Sequence, residues 1–288
     1  MKFQAKNLLI AGIIAVSQIA GVANAARNVT PSKVIAEKTV TMQKINQISL
    51  NISAKVIYTQ GSATTLTMSG PDNLLPLIAL DNSNGALSIS YPSDLSIKGR
   101  LDKDDIVINI TSPSVSGFAV CSAGEIEVPS AISVKDLSLA VTGAGDMELK
   151  GVTATGALNA AVTGAGDLEL DMHVKAAIVN LAVTGAGDLE CENITTPLLN
   201  AAVSGSGDIE LKGGKADVAN FSTSGAGDIN ARKMPAAQVS ATVCGAGDIL
   251  CNATTTLNAS ITGGGEIKYV GSPKVQCTTA RKPFATGL

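Results

Sequence analysis

Between Val120 and Tyr269 apolar residues alternate with small or polar ones in short runs, and the same run returns roughly every twenty residues. VTGAGDMEL (141–149), VTGAGDLEL (162–170), VTGAGDLEC (183–191), VSGSGDIEL (203–211), TSGAGDINA (223–231) and VCGAGDILC (243–251) are one motif, with divergent copies VCSAGEIEV (120–128) and ITGGGEIKY (261–269) at the two ends. The acidic residues stand at 125, 146, 167, 188, 208, 228, 248 and 266, so successive copies are 21, 21, 21, 20, 20, 20 and 18 residues apart. With the acidic residue as zero, apolar or small residues recur at −9, −7 and −5 and again at +1 and +3; in one copy these are Val179, Leu181, Val183, Leu189 and Cys191. Alternation with period two predicts half-buried strands on both sides, and the Gly-x-Gly between them breaks the strand. A third side, with Val152 and Ala154 in its copy, is more variable. Three short strands in 20–21 residues predict one coil of a parallel β-helix, a solenoid that buries each coil's inward row on the next. Eight coils at a strand spacing of about 4.8 Å make a column roughly 38 Å long.

The chain before the repeat alternates without repeating. Runs such as ISLNI, KVIYT, ALSISY and IVINI are broken by turn signals at Gly70-Pro71-Asp72, Asn82 to Gly85 and Pro92-Ser93-Asp94, which predicts a β-rich segment over 40–118 that leads into the repeat at 119–270. The charged stretch Lys98 to Asp105 reads as an exposed loop. Residues 26–39 and 271–288 lack periodicity and read as flexible ends. Residues 1–25 read as a secretory signal peptide: Lys2 and Lys6, an apolar run from Leu8 to Ala20, then Ala23-Asn24-Ala25 with cleavage expected after Ala25. Thirteen residues interrupted by Ser17 and Gln18 fall short of the roughly 20 that a membrane span needs, so the mature chain is expected to carry no integral membrane segment.

Composition narrows the fold and the function together. Of 288 residues 29 are glycine, aromatic residues make up 2% and tryptophan is absent, so the core must be built from short aliphatic side chains, as in narrow layered β-architectures. Removing Lys2 and Lys6 with the leader takes the net charge from −3 to −5, which leaves no basic footprint for nucleic acid. The five cysteines, Cys121, Cys191, Cys244, Cys251 and Cys277, form no CxxC pair or metal-finger spacing, and their odd number leaves at least one thiol free or paired with another chain. Cys191 and Cys251 share position +3 three coils apart, about 14 Å, and Cys121 and Cys244 share −4 six coils apart, about 29 Å. Neither pair can close a disulfide, which needs Cα atoms within about 7 Å.

Together the opening strands with KVIYTQG, the NGALSISY segment, the IVINITSPSVSGFAV lead-in and the SGxGD/TGAGD repeats resemble the auto-transporter adhesin, head GIN domain family of secreted proteins from Bacteroidetes and related bacteria, over about Ile45 to Tyr269. The resemblance implies a right-handed β-helix and an extracytoplasmic location, whether periplasmic, on the outer surface or secreted. It supplies no catalytic residues. After Tyr269 the chain offers nothing that would build a translocating barrel.

Two columns of side chains are candidate sites. Stacking places Asp146, Asp167, Asp188, Asp208, Asp228 and Asp248 in one line, with Glu148, Glu169, Glu190 and Glu210 two residues on and on the same face. Bare charges about 4.8 Å apart repel by about 1 kcal/mol in water and about 3–4 at an effective dielectric of 20, so the column must be compensated. Turn amides are one expected source, the glycines being read as φ > 0 corner residues; Ca²⁺ bridging successive coils is the other, the one cofactor the sequence suggests. The second column, at −8, contains Asn159, Asn180, Asn200 and Asn220 beside Ala161, Ala182 and Ala202 at −6 and Thr163 and Thr184 at −4. Its amides can hydrogen-bond along the axis, or this flat face can dock a cell-surface glycan or protein. Catalysis on a β-helix needs a non-repeating cluster of acid, base and cation; here the arginines are scattered and the single histidine, His173, reads as an exposed structural residue.

Overall fold

A computed structural model describes residues 27–279 and 286–287. The signal peptide expected over 1–25 lies outside the described residues, as does much of the segment after 279. The described chain is a β-solenoid in which the eight motif copies stack in the register that the acidic positions define. Position +1 forms the continuous parallel ladder Met147, Leu168, Leu189, Ile209, Ile229, Ile249, Ile267. Position −5 forms Val141, Val162, Val183, Val203, Thr223, Val243, Ile261. These rows point inward and are excluded from solvent, Val183 and Leu189 at 0% exposure, and Val152 and Ala154 of the third side join them. Each inward residue thus packs on its equivalents one coil above and below, so short side chains suffice for a dense core.

The motif glycines are needed for a reason other than the expected corner conformation. Positive φ occurs at Asn84, Gly85, Gly99, Gly214 and Gly271, and at no glycine of the Gly-x-Gly turns. At those turns the backbones of successive coils approach so closely that a Cβ on Gly187 would fall 2.0 Å from the carbonyl oxygen of Gly166, with the same clash repeated at Gly207 and Gly227. The glycine requirement is therefore steric and runs along the axis.

The segment before the repeat is continuous with the stack, but its coils are laid out of chain order. Strand Gln47–Leu50 sits between Gly117–Val120 and Ala86–Ser90, parallel to both. Strand Lys55–Gln60 sits likewise between Glu125–Val128 and Val107–Ser112. The chain builds the second coil first, steps outward to build the terminal one, then crosses to the third. Thr65–Pro71 closes that end antiparallel to Val107–Ser112 and is itself flanked by antiparallel Ile35–Val40; Ala79–Ser83 pairs antiparallel with Ala86–Ser90. Antiparallel strands folded against the terminal coil occupy hydrogen-bonding groups that a parallel stack would otherwise leave as an open edge. This end also contains the aromatic pair Tyr58 and Phe118, with ring centroids 5.0 Å apart, and the Tyr58 hydroxyl donates to the Ser112 carbonyl at 3.1 Å.

Three expectations need correction here. Residues 26–39 were expected to be a flexible end, yet Arg27–Val29 pairs with Leu95–Ile97 and Ile35–Val40 with Thr65–Pro71. These strands lie at edges and bury little, so they have no alternating pattern to read. The tail contributes strand Lys274–Thr279, parallel to Thr256–Ile261, and Thr286–Gly287 beside Lys268 and Tyr269. The charged stretch 98–105 is not simply an exposed loop: Asp102 caps a short 3₁₀ turn at Lys103–Asp105, which brings Lys103 onto the acidic column.

Candidate functional site

The acidic corner is built by the turn itself. After Gly-x-Gly the amide of the acidic residue is displaced from the ladder and finds a side chain instead: the Asp188 N–H donates to Asp167 Oδ1 at 2.8 Å, Asp208 to Asp188 at 2.7 Å, and Asp228 to Asp208 at 2.7 Å. Asp248 continues the line onto Asp228, and Glu266 onto Asp248. From Asp167 to Asp248 one carboxylate oxygen per coil is engaged by the amide of the next coil, so the compensation is a hydrogen-bond ladder along the axis rather than within each turn, while Asp146 stands outside it and pairs with Lys103. Aspartate has the short reach this needs. At the first copy the longer Glu125 stands instead, and there the Asp146 amide donates to the Gly124 carbonyl at 3.0 Å.

Lysines supply a second source of compensation that sequence reasoning did not weigh. Lys55 bridges Glu125 at 3.2 Å and Glu127 at 2.8 Å, and Lys103 bridges Glu125 at 2.6 Å and Asp146 at 3.1 Å. Lys150 joins Glu148 to Asp171, Lys212 joins Glu190 to Glu192, and Lys268 reaches Glu266 at 2.9 Å. The Lys150 and Lys212 signal was present at position +4, outward and next to the glutamate row, whereas nothing local marks Lys103 as crossing to it. Burial alone would raise the Glu125 carboxyl, but hydrogen bonds from Lys103 and Lys55 outweigh it and hold the group below the usual range. Lys103 is pushed up to about 12, chiefly by its hydrogen bond to Glu125. Glu169, without a lysine of its own, is raised by burial and by the carboxylates of Asp171, Glu148 and Asp167. Because the Glu125 carboxyl is depressed in the folded state, its contribution is present above the unfolded value and lost as pH falls through the folded one. Lys103→Met is accordingly expected to shift acid unfolding, followed by circular dichroism, to higher pH, and an unchanged acid midpoint would contradict the Lys103 contact.

The asparagine column forms its own ladder. Asn180 Nδ2 donates to Asn159 Oδ1 at 2.8 Å, Asn200 to Asn180 at 2.8 Å, and Asn220 to Asn200 at 2.9 Å. The side amides are thereby held in one orientation on an outward face that they share with half-buried Ala182 and Ala202, while Ala161 in the same row is buried. Both candidate columns, expected from spacing alone, are therefore aligned as single rows, one charged and one neutral. No group of three or more His, Cys, Asp or Glu side chains among the described residues is arranged to hold a metal ion. His173 is exposed, at the outer surface of strand Leu168–Lys175.

All five cysteines are free; Cys191 and Cys251 are buried, and Cys121, Cys244 and Cys277 are exposed. Burial pushes the Cys251 thiol up to about 12 and the Cys191 thiol further. Because thiolate is the reactive form, alkylation of the native protein should modify the three exposed thiols and spare these two until it unfolds. Mass spectrometry that finds either inward thiol labelled natively, or a 191–251 or 121–244 link, would contradict the stack.

These features define a repeat β-solenoid whose chemistry is displayed in axial columns. A family model described as "Putative auto-transporter adhesin, head GIN domain" matches residues 44–212 and again 152–273, and the chain belongs to that family. Among solved structures, a "putative adhesin" from Parabacteroides merdae matches with TM-score 0.72 and 20% identity, covering 91% of this chain and 100% of that one. A "putative adhesin" and a "Putative lipid binding protein" from Parabacteroides distasonis match with TM-scores 0.71 and 0.70, each at 18% identity and each covering 91% of this chain and all of the other. At such identities the likeness is one of fold. No curated protein sequence matches. Among the described residues no helix is long and apolar enough to cross a membrane.

Proposed function

We propose that the protein is a non-catalytic extracytoplasmic module that docks a cell-surface glycan or protein on its asparagine face, in keeping with the adhesin description of its family. The observation that carries this reading is the locked amide ladder from Asn159 to Asn220. It presents one uncharged, repeated chemistry along an extended surface, and each amide keeps a second N–H and further lone pairs for a ligand. Rows this regular favour docking over catalysis, because acid–base chemistry needs unlike groups gathered at one point. The leader read at residues 1–25 would deliver the module across the membrane.

A purely structural role in the envelope is the second reading. It is favoured by the same ladder, in which the amides already satisfy one another. The two are separated by binding of the mature protein to glycan arrays and to envelope or cell-surface extracts. Docking predicts a signal that Asn180→Trp and Ala182→Trp abolish, the second without lowering the melting temperature; a structural role predicts no signal, or one that both variants retain.

A further inference from the structure

Beside the asparagine face a groove of about 560 Å³ runs along the third side of the stack. Its outward row is Thr153, Lys175, Thr195 and Lys215, in parallel register. The next outward positions are Ala177, Pro197 and Asp217, and the groove includes all of them. Lys175 and Lys215 are both exposed. The lysines of the acidic face are held in ion pairs, whereas among the described residues Lys175 and Lys215 enter none. In a chain of net negative charge, two free ammonium groups on one side of one groove are a local reversal of sign.

We propose that this groove binds an extended acidic polysaccharide whose carboxylates reach both lysines at once. The inference rests on the reading of the protein as a docking module and adds a charged site beside the asparagine face. Lys175 and Lys215 are two coils apart, about 9.6 Å at the strand spacing. A sugar of an extended 1,4- or 1,3-linked chain advances by about one coil, so alternate sugars present their carboxylates to the two lysines. The intervening Thr195 offers a hydroxyl as donor and acceptor, Ala177 and Pro197 give an apolar surface for the C–H face of a ring, and Asp217 accepts from sugar hydroxyls at the Lys215 end.

The test is binding of the mature protein to immobilised hyaluronate, which has a carboxylate on every second sugar, beside polygalacturonate, which has one on every sugar, and dextran, which has none. Binding of both acidic polymers is expected, in a salt-dependent manner, and of dextran is not. The pair Lys175→Glu and Lys215→Glu is expected to weaken it about tenfold or more at unchanged melting temperature, and Lys175→Gln with Lys215→Gln less so. Equal binding of dextran would overturn the charge argument, and no binding, or binding that the reversed lysines leave intact, would overturn the site. If cell-surface binding persists in the reversed variant and is lost in Ala182→Trp, the groove is refuted and the docking face stands. If binding to surfaces fails in the wild type as well, the docking reading itself fails.

Discussion

Gly187→Ala is expected to destabilise the protein by about 3 kcal/mol or more, a large effect for one methyl group, while Gly264→Ala is expected to be nearly silent. The added Cβ at 187 would stand 2.0 Å from the Gly166 carbonyl oxygen and 2.9 Å from its carbon, so two backbones must part. A Cβ at 264 meets nothing within 4 Å. The position equivalent to Gly264 is alanine or serine in other copies, Ala186 and Ser206 among them. Since φ is not positive at Gly187, the penalty comes from the neighbouring coil, and any residue with a Cβ incurs it. In a solenoid this cost falls on the interface with the preceding coil, so limited proteolysis should open the stack beside the altered turn. Parallel melting curves check the pair, and equal curves would show that the turns do not stack as described.

Val183→Asp should cost at least as much, about 3–5 kcal/mol, because it places a carboxylate without a partner at a position with 0% exposure between Val162 and Val203. The penalty has a definite pH dependence. Burial raises the pKa of an introduced acid, so its folded form binds a proton more tightly than its unfolded form, and the deficit relative to wild type should shrink as pH falls towards the acid range. Val183→Thr is the matched control. The same column already contains Thr223, buried at 0% exposure with its hydroxyl oxygen unpartnered, so the fold accepts one neutral hydroxyl there. Chemical denaturation at pH 7 and pH 4.5 checks both variants; a Val183→Asp deficit that is small, or that grows in acid, would place this side chain outside the core.

The repeat was legible residue by residue because a period near twenty fixes which side chains stand above one another; the inward row at Val179, Leu181 and Val183 and the asparagine row needed no further information. Where the period stops, so did the reading. Ile35–Val40 is a strand of mostly exposed residues at an edge, and nothing in local alternation distinguishes it from coil. The displaced order of the coils containing Gln47–Leu50 and Ala86–Ser90 depends on pairing between distant segments, which the sequence pattern does not encode. Of the two expected sources of compensation, amides do engage the acidic column, but from the next coil rather than from within each turn. The glycines that keep Asp167 and Asp188 one hydrogen bond apart do so through contacts between coils. Lys103 was missed because its role depends on a capped turn that carries it to Glu125 and Asp146 from more than twenty residues away.

The aspartate column is held by the protein's own amides and lysines. Asp188 accepts from the Asp208 amide and lies above Asp167 in an unbroken line. Asp188→Asn keeps the acceptor oxygen and removes a charge, so it should leave stability almost unchanged, whereas Asp188→Ala leaves the Asp208 amide without its protein partner at a cost of about 1 kcal/mol. Calcium that bridged successive coils would instead stabilise the folded state by mass action. The most direct measurement is therefore the melting temperature of the wild-type mature protein at neutral pH in chelator and in millimolar calcium. The two are expected to agree to within about two degrees; a calcium-dependent rise of about ten degrees or more, removed by neutralising Asp188 and Glu190 together, would make the acidic column a metal site instead.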